Sequence, residues 1–171
     1  EVETTRRGIE PHVAGRTLTA VTVREPRLRW PVDARVAELR DKRIVGLRRR
    51  AKYLLMDLGD LNLGIHLGMS GTLRVVPAET PLRKHDHIDL HLDSGRLLRF
   101  NDPRRFGALL YLTDALTHPL LANLGPEPLD QDFSGGWLYR RSRGRRVSVK
   151  SFIMDNATVV GVGNIYAQES L

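Results

Sequence analysis

Over the first two thirds of the chain, apolar residues come in short runs broken by turn residues. Leu18, Ala20, Val21 and Val23 lie among polar neighbours between Arg16 and Arg29, a strand-like pattern. Residues 43–47, 53–58, 61–67, 72–76, 90–92, 96–100 and 108–112 continue it, with Asp93-Ser94-Gly95 as a hairpin turn. Many short strands at regular spacing predict a β-sandwich or barrel. The opening differs. Val2, Thr5 and Ile9 fall on one helical stripe over residues 1–10, and Pro11 and Gly15 bring that helix to an end. Glu1 and Glu3 then occupy its first turn, where carboxylates suit the helix dipole.

After Thr113 the pattern changes. Residues 115–124 read as a mostly helical connection, and Leu124-Gly-Pro-Glu-Pro-Leu129 as a proline-rich linker near a domain boundary. Helical segments are predicted from Phe133, from Lys150 to about residue 154, and from Asn164 onward, the last after the glycine turn Val159-Val-Gly-Val-Gly163. The opening at Glu1 and a final helix with no stop signal read as a piece of a longer protein.

Charge narrows the partner. Lys and Arg number 27 against 20 Asp and Glu, a net charge of +7, with a sequence pI near 10.3. That balance favours a polyanion, nucleic acid ahead of an anionic membrane. No run approaches the length of a membrane span, and the first residues carry no signal-peptide pattern. With 41% hydrophobic residues the chain can bury a core, and with no cysteine it has neither disulfides nor thiolate metal sites.

Several stretches carry candidate chemistry. Asn101-Asp-Pro-Arg-Arg-Phe-Gly107 follows one predicted strand and precedes another. Asp-Pro opens a turn and Gly107 closes it, so the loop either presents Arg104, Arg105 and Phe106 to a base stack or packs Phe106 back on the core. Met69, flanked by Gly68 and Gly71, has no walls for a core and suits a flexible wedge. The basic run 48–52 reads as a solvated hairpin or as a phosphate contact with Lys52 at its tip. His85, Asp86, His87 and Asp89 read either as a metal-binding strand face or as histidines that hydrogen-bond backbone or phosphate. No second carboxylate cluster completes a metal-dependent hydrolase, so no metal site is expected. Residues 140–146 are the densest positive charge, and Asn164 opens a helix whose amides suit phosphate.

Seven segments, in order and with matching spacing, resemble the formamidopyrimidine-DNA glycosylases. They are Glu1-Val-Glu-Thr-Thr-Arg-Arg-Gly8, Arg49-Arg-Ala-Lys-Tyr-Leu-Leu55, His66-Leu-Gly-Met-Ser-Gly71, Lys84-His-Asp-His87, Asp102-Pro-Arg-Arg-Phe-Gly107, Leu124-Gly-Pro-Glu-Pro-Leu129 and Val160-Gly-Val-Gly-Asn-Ile-Tyr-Ala167. The resemblance implies an α+β fold: an eight-stranded β-sandwich flanked by helices over residues 1–125, then the start of a helix-two-turn-helix domain over 126–171. DNA would bind in the cleft between the two.

The implied activity is base-excision repair of oxidised purines in duplex DNA. It combines glycosidic cleavage with β,δ-elimination through a Schiff base on an N-terminal proline. By resemblance Met69, Arg104 and Phe106 fill the gap left by an everted nucleotide. Lys52, His66 and Asn164 clamp phosphate, and Lys52 also aids proton transfer. His85 and Arg145 join Arg104 in binding DNA, and Glu1 and Lys150 approach the lesion. The proline and its neighbouring glutamate would precede Glu1, so residues 1–171 alone are expected to be inactive. No cofactor is expected in this stretch; one zinc ion would sit in a four-cysteine finger beyond it. The expected protein is a bacterial, cytoplasmic monomer whose partner is damaged double-stranded DNA. The alternative is a non-catalytic nucleic-acid-binding β-domain.

Overall fold

A computed structural model describes residues 1–171. It divides into two compact units, Glu1–Arg49 with Tyr53–Ala115, and Arg50–Lys52 with Leu116–Leu171.

The first unit begins with helix α1, Val2–Val13. It runs three residues past the expected end and holds Pro11 in its last turn, where the ring removes the N–H that would otherwise bond the Arg7 carbonyl. Ile9 and Val13 turn inward. Arg6 and Arg7 donate to Glu3, and Arg6 also donates to Glu10. The hydrogen bonds from Arg6 and Arg7 hold the Glu3 carboxyl at about 2.

Nine strands follow in two antiparallel sheets: β1 Thr17–Val23, β2 Lys42–Arg43, β3 Gly46–Arg50, β4 Tyr53–Asp57, β5 Asn62–His66, β6 Thr72–Pro77, β7 Asp86–Leu92, β8 Arg96–Asn101 and β9 Ala108–Leu112. One sheet has the order β2-β1-β7-β8-β6 and the other β3-β4-β5-β9. The ninth strand arises because residues 43–47 do not form one strand. The chain leaves the first sheet after Arg43, buries Ile44 completely, exposes Val45 and enters the second sheet at Gly46. Helix α2, Ala34–Ala37, fills the stretch left open by the pattern, capped by Asp33.

Leu18, Ile44, Leu54, Met56, Leu63, Ile65, Ile88, Leu90 and Leu98 form one core drawn from both sheets. β4 and β5 are buried at successive positions, and in β1 and β7 bulges shift the inward face. Leu18 and Val21, three residues apart, are both buried because the β1–β7 register shifts between them. A second shift, between Asp86 and Ile88, re-aims the start of β7.

In the second unit, α3 Pro119–Ala122, α4 Gly135–Ser142, α5 Val149–Met154 and α6 Asn164–Glu169 are short. His118, Ser134 and Ser148 accept from first-turn N–H groups of α3, α4 and α5 respectively. Of residues 115–124 only the four of α3 are helical. Leu121, Phe152, Val159, Val160 and Ala167 are buried. The 124–129 segment packs inside this unit: Gly125 N–H donates to Asn156 O at 2.8 Å and Val160 N–H to Pro126 O at 3.1 Å.

Candidate nucleic-acid interface

In the first unit, β5–β6 and β8–β9 end in two loops that interlock. The β5–β6 loop carries Met69, 74% exposed. The β8–β9 loop carries Phe106, 43% exposed, with the Arg104 guanidinium 4.6 Å above its ring. Phe106 is thus outside the core, with a cation over the face of its ring.

Two glycines allow the loops to approach. Gly68 has φ +65°, and a Cβ there would lie 2.5 Å from the Phe106 carbonyl carbon. A Cβ on Gly107 would lie 2.7 Å from His66 O. Arg105 itself adopts φ 55°, a left-handed conformation unusual for a side-chain-bearing residue.

Asp102, fully buried, joins the pieces. Its Oδ1 accepts from the Ser70 hydroxyl at 2.6 Å, and its Oδ2 from Gly107 N–H at 2.7 Å. Ser70 Oγ in turn accepts from Arg104 N–H at 3.3 Å. On the other side, Asp102 N–H donates to His85 O at 3.1 Å, and Asp102 O is bonded to His87 Nε2 at 2.8 Å.

His66 stands at the end of β5. Gly68 N–H donates to its Nδ1 at 3.0 Å, which leaves the ring proton on Nε2. The Tyr53 ring lies 4.9 Å from it, centroid to centroid, and burial pushes the Tyr53 phenol up. His85 does not share a strand face with His87. It precedes β7 with φ 72°, because the bulge turns the chain there.

The metal-binding reading of this segment fails on its own contacts. Arg99 forks onto Asp89 at 2.8 and 3.0 Å, and Arg24 bonds the same carboxylate. Asp86 accepts from Arg74, Asn101 and Arg83 N–H. Burial opposes ionisation of Asp89, but the hydrogen bonds from Arg99 and Arg24 outweigh it and hold the carboxyl below its ordinary range. Glu1 is the N-cap of α1, exposed, with no side-chain capping bond.

In the second unit, Arg50 donates to Leu124 O and Gly125 O at 2.9 and 2.7 Å and to Glu127 at 3.0 Å. Ala51, with φ 52°, donates its N–H to the same Glu127 oxygen at 2.7 Å. This anchored tip presents Lys52, whose Nζ is 3.4 Å from where a Cβ on Gly163 would stand. Lys52 therefore lies beside the turn that precedes Asn164. Lys150 donates to Gln168 at 3.2 Å across α5 and α6. Arg145 is exposed beyond α4, its Nε 3.4 Å from Arg141 O.

The motif reading found the presented side chains and missed the residues that hold them. Ser70, Asp102 and Glu127 each lie inside a quoted motif, yet their partners are distant in sequence. The 171 residues contain no cysteine, so they do not fit a four-thiolate zinc finger.

A basic β-sandwich with glycine-spaced loops that expose Met, Arg and Phe fits a nucleic-acid-binding protein. Residues 1–109 match the family model for the formamidopyrimidine-DNA glycosylase N-terminal domain, and residues 124–171 match that for its H2TH domain. The chain belongs to the formamidopyrimidine-DNA glycosylase family.

Among curated relatives, the formamidopyrimidine-DNA glycosylase of Alcanivorax borkumensis is 69% identical over 171 residues, and that of Stenotrophomonas maltophilia strain K279a is 61% identical over 172. Each match takes in the whole of this chain and 64% of the relative, so the chain spans just under two thirds of their length. A Lactococcus lactis enzyme solved non-covalently bound to DNA containing an AP site superposes with a TM-score of 0.88 at 32% identity. That match covers 99% of this chain and 66% of that one. The MutM (Fpg) protein of Thermus thermophilus gives 0.85 at 40% identity, covering 100% and 62%.

Proposed function

We propose that the complete protein is a DNA glycosylase and AP lyase of base-excision repair that removes oxidised purines from duplex DNA and cleaves the resulting abasic site by β,δ-elimination. The observation that carries this is the interlocked pair of loops: a wedge of Met69 and Phe106 beside the Arg104 guanidinium, too exposed to serve a core. Extruding a nucleotide costs a few kcal/mol, and side chains that replace its stacking and pairing contacts lower that cost. Phe106 enters the stack, Met69 fills the vacated space, and Arg104 donates to the cytosine left unpaired.

His66 offers a fixed Nε2–H to a phosphate oxygen, and Lys52 and Asn164 offer further donors. Lys52 is also placed to assist proton transfer. His85 and Arg145 extend the DNA contacts, and Glu1 and Lys150 stand at the lip of the lesion site. The covalent step of this activity is attack of an N-terminal proline amine on the sugar C1′. The Lactococcus lactis enzyme was solved with AP-site and Fapy-dG DNA, which supports damaged duplex as the partner. A zinc ion, if the complete protein holds one, is bound outside residues 1–171.

Substituting Arg104→Ala in the complete protein tests the assignment. Excision should lose its preference for cytosine opposite the lesion by about ten- to a hundred-fold, on the scale of one bidentate contact, while binding to undamaged duplex falls much less. Equal losses with every opposing base would overturn it.

A further inference from the structure

We infer that Asp102 and Ser70 form a positioning latch that makes the Met69 loop and the Arg104–Phe106 loop a single rigid wedge, so that opposite-base selection depends on a hydroxyl in the loop that does not contact that base. This rests on the reading of Arg104 and Phe106 given above.

The geometry is a closed circuit. Arg104 N–H donates to Ser70 Oγ (3.3 Å), Ser70 Oγ–H donates to Asp102 Oδ1 (2.6 Å), and Gly107 N–H donates to Asp102 Oδ2 (2.7 Å). Asp102 thus fixes both ends of its own loop and reaches Ser70 in the other. A carboxylate with no exposed surface is costly unless its oxygens are satisfied, so these donors are structural requirements of the loop rather than incidental contacts. The left-handed Arg105 and the close approach at Gly68 have the same implication: each persists only where the surroundings over-determine the backbone. Asp102 also bonds the backbone of His85 and the ring of His87, which links a further predicted DNA contact, His85, to the same hub.

The unlatched loops could still carry their side chains, but no longer in one register. A wedge about 1 Å out of place selects poorly even when it still inserts. Ser70 is therefore a positioning residue, acting through Arg104.

The test is a double-mutant cycle in the complete protein. Ser70→Ala should lower the ratio of excision opposite cytosine to excision opposite adenine about ten-fold, the loss of one hydrogen bond to a charged acceptor. Added to Arg104→Ala, it should lower that ratio by less than about two-fold more, because both act on the same contact. Amide exchange without DNA provides a second measurement. Ser70→Ala and Asp102→Asn should each speed exchange of the Gly107 N–H about ten-fold. If Arg104→Ala abolishes selection while Ser70→Ala leaves it intact, the latch is wrong and the function stands. Fully multiplicative losses also overturn the latch. If Arg104→Ala leaves selection unchanged, the functional reading fails, and Gly107 exchange then decides the latch alone: faster exchange supports it and unchanged exchange overturns it.

Discussion

A single methyl group can report how tightly the two loops are joined. Gly68 combines φ +65° with a backbone neighbour 2.5 Å from its missing Cβ. Gly68→Ala therefore meets two costs, left-handed strain and a clash with main chain that cannot rotate away. We expect a loss of about 3 kcal/mol in denaturant-measured stability. Gly8 makes the contrast within the same unit, since a Cβ there meets nothing within 4 Å and φ is not positive. Gly8→Ala, in α1, should be neutral or stabilise by up to about 1 kcal/mol. Equal effects at the two sites would mean that the loops are looser than the geometry shows. At this scale the sequence was informative about what the loops expose and silent about what holds them. Met between glycines and Arg-Arg-Phe after Asp-Pro are local signals. Ser70 and Asp102 are 32 residues apart, and nothing in either motif announces their bond.

Among the elements, the pattern of short apolar runs between turn residues revealed the strands, of which β4, β5, β7 and β8 are buried at successive positions. It failed where the chain departs from simple pleating. The β1 bulge buries Leu18 and Val21 together, and the β7 bulge separates His85 from the strand face that would have paired it with His87. The sheet switch at Ile44 and Val45 looks like one strand in the sequence because both residues are apolar, although their exposures are opposite. Among the buried polar residues of β7 and β8, Asp89 and Arg99 stand directly opposite in register.

This pair supplies a prediction. The Asp89 carboxyl is held below its ordinary value of 3.8 by Arg99 and Arg24 despite burial. Its ionised form therefore favours the fold fully above the unfolded value, and that contribution disappears as pH falls through the lower folded value. Asp89→Asn should cost about 3 kcal/mol at pH 7, since it leaves the buried Arg99 guanidinium with Asp86, at 3.6 Å, in place of its bidentate carboxylate. The gap from wild type should narrow as pH drops below about 4. Urea unfolding from pH 7 to pH 2 checks both points; a pH-independent gap would remove the ion pair as its cause.

For the whole molecule, the excess of cations matters more than their number. Many acids are already engaged. Glu3, Glu25 and Asp33 are each held at about 2 by hydrogen bonds from Arg6, Arg27 and Arg35 respectively. They stay ionised and locally neutralised throughout the range in which DNA is bound, so carboxylate protonation does not add to the +7 excess there. Affinity for duplex should accordingly fall steeply with salt, because each phosphate neutralised releases a counterion.

That separates two kinds of residue by one measurement. Arg145, exposed beyond α4, touches no base in the proposed role. Arg145→Ala should reduce the slope of log K against log salt by about 0.9 and weaken intact and lesion-bearing duplex alike. Phe106 carries no charge and acts only once the stack is opened. Phe106→Ala should leave that slope unchanged, while lowering the preference for a lesion over intact DNA by about ten-fold, the scale of one lost stacking contact. A reduced slope with Phe106→Ala, or an altered lesion preference with Arg145→Ala, would show that attraction to the backbone and insertion into the stack are not separable in this protein.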